Sequence, residues 1–367
     1  MANKRIRLDD DEYDPTDNEP EIDPNVIASL CYDSYNRLGK SGKPNPRKNE
    51  YTIIAGLVEF RDKSSPTVVC LTTGTKCFPK NVPYRDEDIV DCHAEPLLKR
   101  AFKCYLNEVI NDWIDDNKKL DQFYDEVIRG RHYCLFVSQF PCGSFSRWKG
   151  DPLHDSKNRK ICVNRKPGRG EFCPKAACVH KIAKWRIFGL QGSRILDIIG
   201  KPITFNHIVI GNCETEYRET MEELDSIKDY LITIPNEYSK ISNDLIGDFQ
   251  FSQFCHIHFA QQFRHPEFVR NNIPCGSSIV AWMSCDRKTN LKTEILANGR
   301  RLGAAKRKTF PNILGTSRVC DFYLRQNLEQ LMVKFNIKNI NSEKYQKDWS
   351  LTQKNLSIFK DWPIIDV

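Results

Sequence analysis

The chain alternates segments that read as β-strands with segments that read as helices, and this order limits its fold more than any other feature. YTIIAGLVEF (51–60) and TVVCLTTG (67–74) read as adjacent strands joined by the polar turn RDKSSP. Over 96–114 the residues Leu98, Phe102, Tyr105, Val109 and Trp113 recur every three or four positions, which predicts a helix, and Pro96 stands where a first helical residue is tolerated. HYCLFVSQF (132–140) has the pattern of a buried strand, a second such helix fits 176–187, and ITFNHIVIGN (203–212) and SSIVAWMS (277–284) are further strands. An earlier helix fits Pro24–Arg37, with Val26, Ile27, Leu30 and Tyr32 on one face, and 315–363 is mainly helical. The mixed βαβα order predicts an α/β fold, a central mixed β-sheet with helices on both faces and a helical C-terminal portion.

Residues 1–24 are acidic, carry Pro15, Pro20 and Pro24 and have few large apolar groups, so they read as a disordered tail. With no repeat and no clear linker after it, 25–367 reads as one domain. No run of 18 apolar residues predicts a membrane span, and MANKRIRLDDDEYD lacks the apolar stretch of a secretory signal. Fifteen cysteines, an odd number without regular spacing, then read as mostly reduced thiols of an intracellular protein, nuclear or cytoplasmic, with a few free to bind metal.

The net charge of +7 is unevenly spread. Between 147 and 186 twelve Lys or Arg face only Asp151, Asp155 and Glu171. Much of this stretch, 145–175, shows no periodicity and reads as a long basic loop. A local basic excess suits either a polyanion, whose counterions it would release, or a solvated loop.

Three short segments carry the chemistry. Asp91-Cys92-His93-Ala94-Glu95 precedes the helix at Pro96, Pro141-Cys142-Gly143 ends a strand, and Cys178 opens the second helix in AACVHKIAKW. Each is unremarkable alone. Together, one His and two Cys could supply the three protein ligands of a catalytic zinc, with a water in the fourth position. Glu95 would be a non-ligand proton shuttle, since His93-x-Glu95 with the Cys of Pro-Cys is the pattern of zinc nucleobase deaminases. In that pattern the second cysteine follows three residues after the first, but position 145 is Phe. The third ligand must come from farther away, and Cys178 at a helix N-terminus is electrostatically reasonable. Cys255, His256 and His258 form a rival cluster, read as structural because side chains diverge along a strand.

At these segments the sequence resembles the catalytic domain shared by RNA-specific and tRNA-specific adenosine deaminases. The family places its third ligand in Ser-Cys-Ser-Asp-Lys-Ile-Ala-Arg-Trp, matched here by Ala177-Cys178-Val179-His180-Lys181-Ile182-Ala183-Lys184-Trp185. TTGTKC (72–77), DCHAE (91–95), KPGRG (166–170), GLQGS (189–193) and NGRRLGAAK (298–306) also match, in the right order. Val179 and His180 depart from the family's Ser-Asp. The resemblance implies a cytidine-deaminase-like zinc core with His93, Cys142 and Cys178 as ligands and Glu95 catalytic. It implies a buried inositol hexakisphosphate held by Lys99, Arg100, Lys181, Lys184, Ser193 and Lys306, with Tyr345 and Trp362 as further contacts. It also implies a relay from that polyanion through Lys181, Asp91 and Lys166 to Cys178.

Deaminases of duplex RNA carry RNA-binding domains ahead of the catalytic domain, and only about 25 residues precede the fold here. The sequence looks more like the stand-alone tRNA-specific enzymes, which implies tRNA as partner and the adenosine immediately 3′ of the anticodon in alanine tRNA as target. No membrane and no obligate protein partner is expected. Arg159, Lys160, Arg165 and Arg169 would hold tRNA phosphates, and Arg169, between Gly168 and Gly170, could approach a flipped-out base. The alternatives are an editing domain acting on duplex mRNA and a catalytically silent zinc-containing RNA-binding protein.

Overall fold

A computed structural model describes residues 20–61, 65–77, 85–115, 122–142, 163–165, 172–211, 241, 244, 256–260, 267, 273–284, 291–303, 315–338, 342–356, 359 and 362. The elements are α1 (Pro24–Arg37), β1 (Glu50–Tyr51), β2 (Ile54–Arg61), β3 (Thr67–Thr73), β4 (Thr75–Cys77), β5 (Asp91–His93), α2 (Ala94–Asp115), β6 (Arg131–Val137), β7 (Val163–Arg165), β8 (Phe172–Ala176), α3 (Cys178–Phe188) and α4 (Ser193–Ile199). After them come β9 (His207–Ile210), β10 (His256–Phe259), β11 (Ile273–Pro274), β12 (Ser277–Trp282), β13 (Lys292–Ala297), β14 (Arg300–Arg301), α5 (Asp321–Lys334) and α6 (Glu343–Asn355).

Eight strands form the central sheet in the order β10-β9-β6-β2-β3-β12-β13-β14. It is mixed: β6, β9 and β10 run parallel, while β2 is antiparallel to both β3 and β6. Side chains alternate across it, as the pleat requires. Cys134, Phe136, Val209, Ile279 and Ala281 join Ile27, Cys31 and Tyr35 of α1 on one face. Tyr133, Leu135, Val137, Ile208, Val280 and Trp282 join Leu98, Phe102 and Tyr105 of α2 on the other. The same second core takes in Phe188 of α3, Leu196 of α4, Leu331 of α5 and Trp349 of α6. Helices therefore cover both faces, and the central strands β2, β3, β6 and β9 are buried on both sides.

Helix α1 has the bounds the periodicity predicts, and Asp23 caps it by accepting from the Asn25 N–H at 2.8 Å. Helix α2 starts two residues ahead of Pro96. Proline costs nothing there, because the first-turn N–H groups have no intrahelical partner. The basic stretch 145–175 is not wholly loop, since β7 and β8 pair antiparallel within it. Residues 1–19, 143–162, 166–171 and 304–314 lie outside the described residues, and with them most of the expected tail and Arg159, Lys160, Lys166, Arg169 and Lys306.

Glu59 ties α2 to the sheet. Its carboxylate is 4% exposed and accepts from Arg61 at 2.6 Å, Tyr105 at 2.9 Å, Arg131 at 3.1 Å and Tyr133 at 3.2 Å. Burial would raise its pKa, but Arg131 and Arg61 outweigh burial and hold it below the usual carboxylate range.

No helix among the described residues is long and apolar enough to cross a membrane. The cysteines whose side chains are described are all free thiols.

Candidate metal centre and its basic surroundings

The ribbon β4–β5 delivers His93. Cys77 pairs with Asp91 and Thr75 with His93, and the chain passes directly from His93 into α2. Gly74, in TTGTKC, permits this. A Cβ there would stand 2.0 Å from the Cys92 carbonyl oxygen, and the Gly74 carbonyl accepts from the Ala94 N–H at 3.1 Å. The late NGRR segment supports the same ribbon: Asn298 and Gly299 turn with positive φ, and the Gly299 carbonyl accepts from the Ile89 N–H at 3.0 Å.

Cys142 follows β6 and sits over the start of α3. The backbone N–H of Cys178 donates to its sulfur at 3.3 Å, and that of Val179 to its carbonyl at 3.1 Å. These are first-turn donors that a helix cannot satisfy itself, and Ala177 before them has no capping side chain. The Nδ1 of His93 lies 3.4 Å from the Sγ of Cys142 and 3.4 Å from the Sγ of Cys178. A tetrahedral zinc with ordinary bond lengths needs a sulfur–nitrogen separation of about 3.6 Å, so the donor set fits zinc in type and spacing.

The three donors share charge. A hydrogen bond from the Cys178 thiol, and then the His93 imidazolium, pull the Cys142 thiol well below its ordinary pKa despite its burial. Burial and the Cys142 thiolate hold Cys178 up. Burial would lower His93, but Cys142 and Asp91 outweigh it and lift the imidazole to about 9.

Glu95, 2% exposed, lies in the first turn of α2 beside these groups. Burial, and after it the charge of Cys142, holds its carboxyl above the usual range. Asp91 accepts from the His93 N–H at 3.1 Å and from the Cys77 thiol at 3.1 Å, and it takes an ion pair from Lys181. Burial works against that pair on both sides, yet Lys181 depresses Asp91 and Asp91 raises Lys181. His180, in the family's Asp position, is buried, and burial holds its pKa down to about 3.

Behind this centre the expected cations divide. Arg100 is neutralised by Asp321, which accepts its NH1 at 3.0 Å and its NH2 at 2.9 Å, and Lys181 is neutralised by Asp91. Both of these cations therefore already meet a carboxylate of the protein. Lys99 donates to the Gly189 carbonyl at 3.3 Å and pairs with no carboxylate among the described residues. Burial, and then Lys103, Lys184 and Arg100, push it well below the ordinary lysine value. Lys184 stands 3.3 Å over the ring of Trp349, with Trp362 at 5.3 Å and Tyr345 at 5.7 Å, and burial holds it down to about 7.

Sequence reasoning missed Lys103, held down to about 8 by burial and then by Arg100. The signal was available, since Lys103 is one turn after Lys99 on the same helix face. It lines a cavity of about 310 Å³ with Ser193, Arg194 and Asp321. The GLQGS turn shapes this wall. Gly189 and Gly192 have positive φ, and the Gln191 side chain donates to Phe188 O and accepts from Ile203 N, both at 2.8 Å.

Of the expected RNA contacts only Arg165 is described, on β7. The rival histidines do not diverge. His256 and His258 are two apart on β10 and share a face. His207 of β9 stacks on both, and its Nδ1 lies 3.1 Å from the Nε2 of His258.

A sequence model of the adenosine-deaminase (editase) domain matches residues 70–172 and 149–355. The chain belongs to the adenosine-deaminase (editase) domain family. Within it, the chain is 30% identical over 229 residues to a Drosophila melanogaster protein named tRNA-specific adenosine deaminase 1, covering 53% of this chain and 57% of that one. It is 33% identical over 167 residues to the Schizosaccharomyces pombe protein of that name, covering 40% and 42%. It is 25% identical over 251 residues to the Drosophila double-stranded RNA-specific editase Adar, covering 58% and 36%. The matched stretch thus spans less than two thirds of each of these relatives.

Proposed function

We propose that this chain hydrolyses adenosine to inosine in tRNA, at the adenosine immediately 3′ of the anticodon in alanine tRNA. The observation that carries the reading is the convergence of His93, Cys142 and Cys178 with a buried carboxyl, Glu95, that is not among the three donors. A structural zinc site takes four protein ligands, whereas three with an adjacent acid leave a position for chemistry. The names of the similar fly and fission-yeast proteins support tRNA as the substrate class.

His93, Cys142 and Cys178 would hold a zinc ion, and the ion supplies a nucleophile at neutral pH by acidifying a water. Glu95 accepts the proton of the attacking water and passes it to the ammonia that leaves, so adenosine and water give inosine and ammonia. Its raised pKa suits both the accepting and the donating half of that shuttle. The Asp91–Lys181 pair fixes the His93 backbone, so the imidazole keeps its aim as the charge of the site changes.

Burial holds Lys99, Lys103 and Lys184 below the ordinary lysine value, and a compact polyphosphate beside them would restore them to full charge. We infer inositol hexakisphosphate in that role, with Ser193, Tyr345, Trp362 and Lys306 as further contacts.

Incubation with unmodified tRNA transcripts, read as A-to-G changes on sequencing, tests the activity. Inosine in the anticodon loop of alanine tRNA is expected. Its appearance only in duplex RNA would replace tRNA by the substrate class in the name of the fly editase.

A further inference from the structure

The metal-site reading leaves one buried group unused. Cys77, 4% exposed, is the cross-strand partner of Asp91 in the β4–β5 ribbon. Its thiol donates to Asp91 Oδ1 at 3.1 Å, the same oxygen that accepts the His93 N–H. The other carboxylate oxygen takes Lys181. Lys181 lies one turn into α3 from Cys178, and its backbone N–H bonds back to Ala177 O at 3.2 Å. Asp91 therefore joins the segment carrying His93 to the helix carrying Cys178, and Cys77 is its third side of support. The Cys77 sulfur also lies within 4.8 Å of the coordinating groups of Asp91 and His93.

We propose that Cys77 is a positioning residue of the metal centre: by donating its thiol hydrogen to Asp91 it sets the carboxylate plane that aims His93 and Lys181 together. Two lone pairs on one oxygen accept two donors, so the carboxylate is held by Cys77 and His93 on one oxygen and by Lys181 on the other. Removing the thiol takes away one of these three anchors and loosens His93 against Cys178. Groups that orient metal ligands from outside in this way change metal retention by roughly 10–100-fold when lost.

Among the described residues Cys77 clusters with Val90, and it borders a cavity of about 60 Å³ lined by Ile89, Cys92, Ser278 and Leu296. Cys77→Val fills the space without a donor at the cost of one extra carbon, Cys77→Ala removes the group, and Cys77→Ser restores a donor.

The inference rests on the zinc reading, and metal analysis of the unchanged full-length chain separates the two. Each zinc-loaded protein is then challenged with a chelator, and zinc release is followed with a colorimetric indicator. Val and Ala should release zinc about tenfold faster than the parent, and Ser at close to the parent's rate. The cobalt-substituted Val and Ala proteins should show a shifted visible spectrum, and Ser the parent's. If all three variants release zinc at the parent's rate, or Ser is as fast as Ala, the donor role is wrong while the metal reading stands. A parent that holds no metal overturns both.

Discussion

Cys142 caps the helix that begins at Cys178. The two residues are 36 apart in sequence, and the N–H of the second points at the sulfur of the first at 3.3 Å. The helix N-terminus stabilises negative charge on Cys142, so one contact both ends a helix and prepares a thiolate. Cys142→Ala should cost metal and also stability. Loss of a cap is worth about 0.5–2 kcal/mol. Equal unfolding midpoints for the metal-free parent and variant would show that the cap contributes nothing.

Glu95→Gln should keep zinc and fold while losing turnover by at least about 10²–10⁴-fold, the usual contribution of general acid–base catalysis. Inosine formation on a tRNA transcript under single-turnover conditions measures it. Turnover within a few-fold of the parent would remove Glu95 from the proton path.

The lysines behind the centre give a pH signature. Lys184 and Lys103 sit at about 7 and about 8 in the folded chain, against 10.5 for a free lysine. Between those values the unfolded chain binds more protons, so stability should rise with pH across roughly 7–10. A bound polyphosphate reverses the bias by keeping both lysines protonated. Thermal midpoints of the anion-free chain should therefore climb from pH 7 to pH 9. Added inositol hexakisphosphate should raise the midpoint most at pH 7 and flatten the climb. A midpoint that falls over this window without the anion would contradict the assignment.

Affinity for tRNA should fall steeply with salt. Replacing Arg159, Lys160, Arg165 and Arg169 together by Gln should reduce the slope of log affinity against log salt by about 0.7 for each phosphate no longer neutralised. Filter binding at several salt concentrations reads it, and an unchanged slope would move the RNA surface elsewhere.

Glu59 should prove costly to remove. Glu59→Leu leaves Arg131 buried against two tyrosine hydroxyls without its carboxylate, and breaking such a pair costs about 3–5 kcal/mol. Denaturant unfolding checks this, with zinc content expected to stay near the parent's in the folded fraction.

Much of this was legible in the chain itself. Periodicity gave α1 to the residue and brought α2 and α3 within two residues at each end, because one-sided apolar spacing survives in a surface helix. The pairing of β7 with β8 was not legible, because dense charge hides alternation. His256 and His258 were read as diverging, although residues two apart on a strand share a face. The three candidate donors could be named because each sits in a short motif whose neighbours serve backbone geometry, as Gly74 and Gly189 do. Arg100 was read only as a member of one cationic cluster. Its carboxylate, Asp321, comes from a distant segment, and no local pattern announces a long-range ion pair; Lys181 was set beside Asp91 by the family resemblance and not by any spacing in the sequence.

The aromatic box around Lys184 has a consequence for synthesis. The helix that begins at Cys178 has its far side covered by Tyr345, Trp349 and Trp362, which leave the ribosome long after it. A nascent chain can bring His93, Cys142 and Cys178 near one another while the outer wall of that helix is still missing. A message cut short before Tyr345 would yield a polypeptide that carries His93, Cys142 and Cys178 but lacks the aromatic partners of Lys184 and the ring contacts of Tyr345 and Trp349 on Phe188.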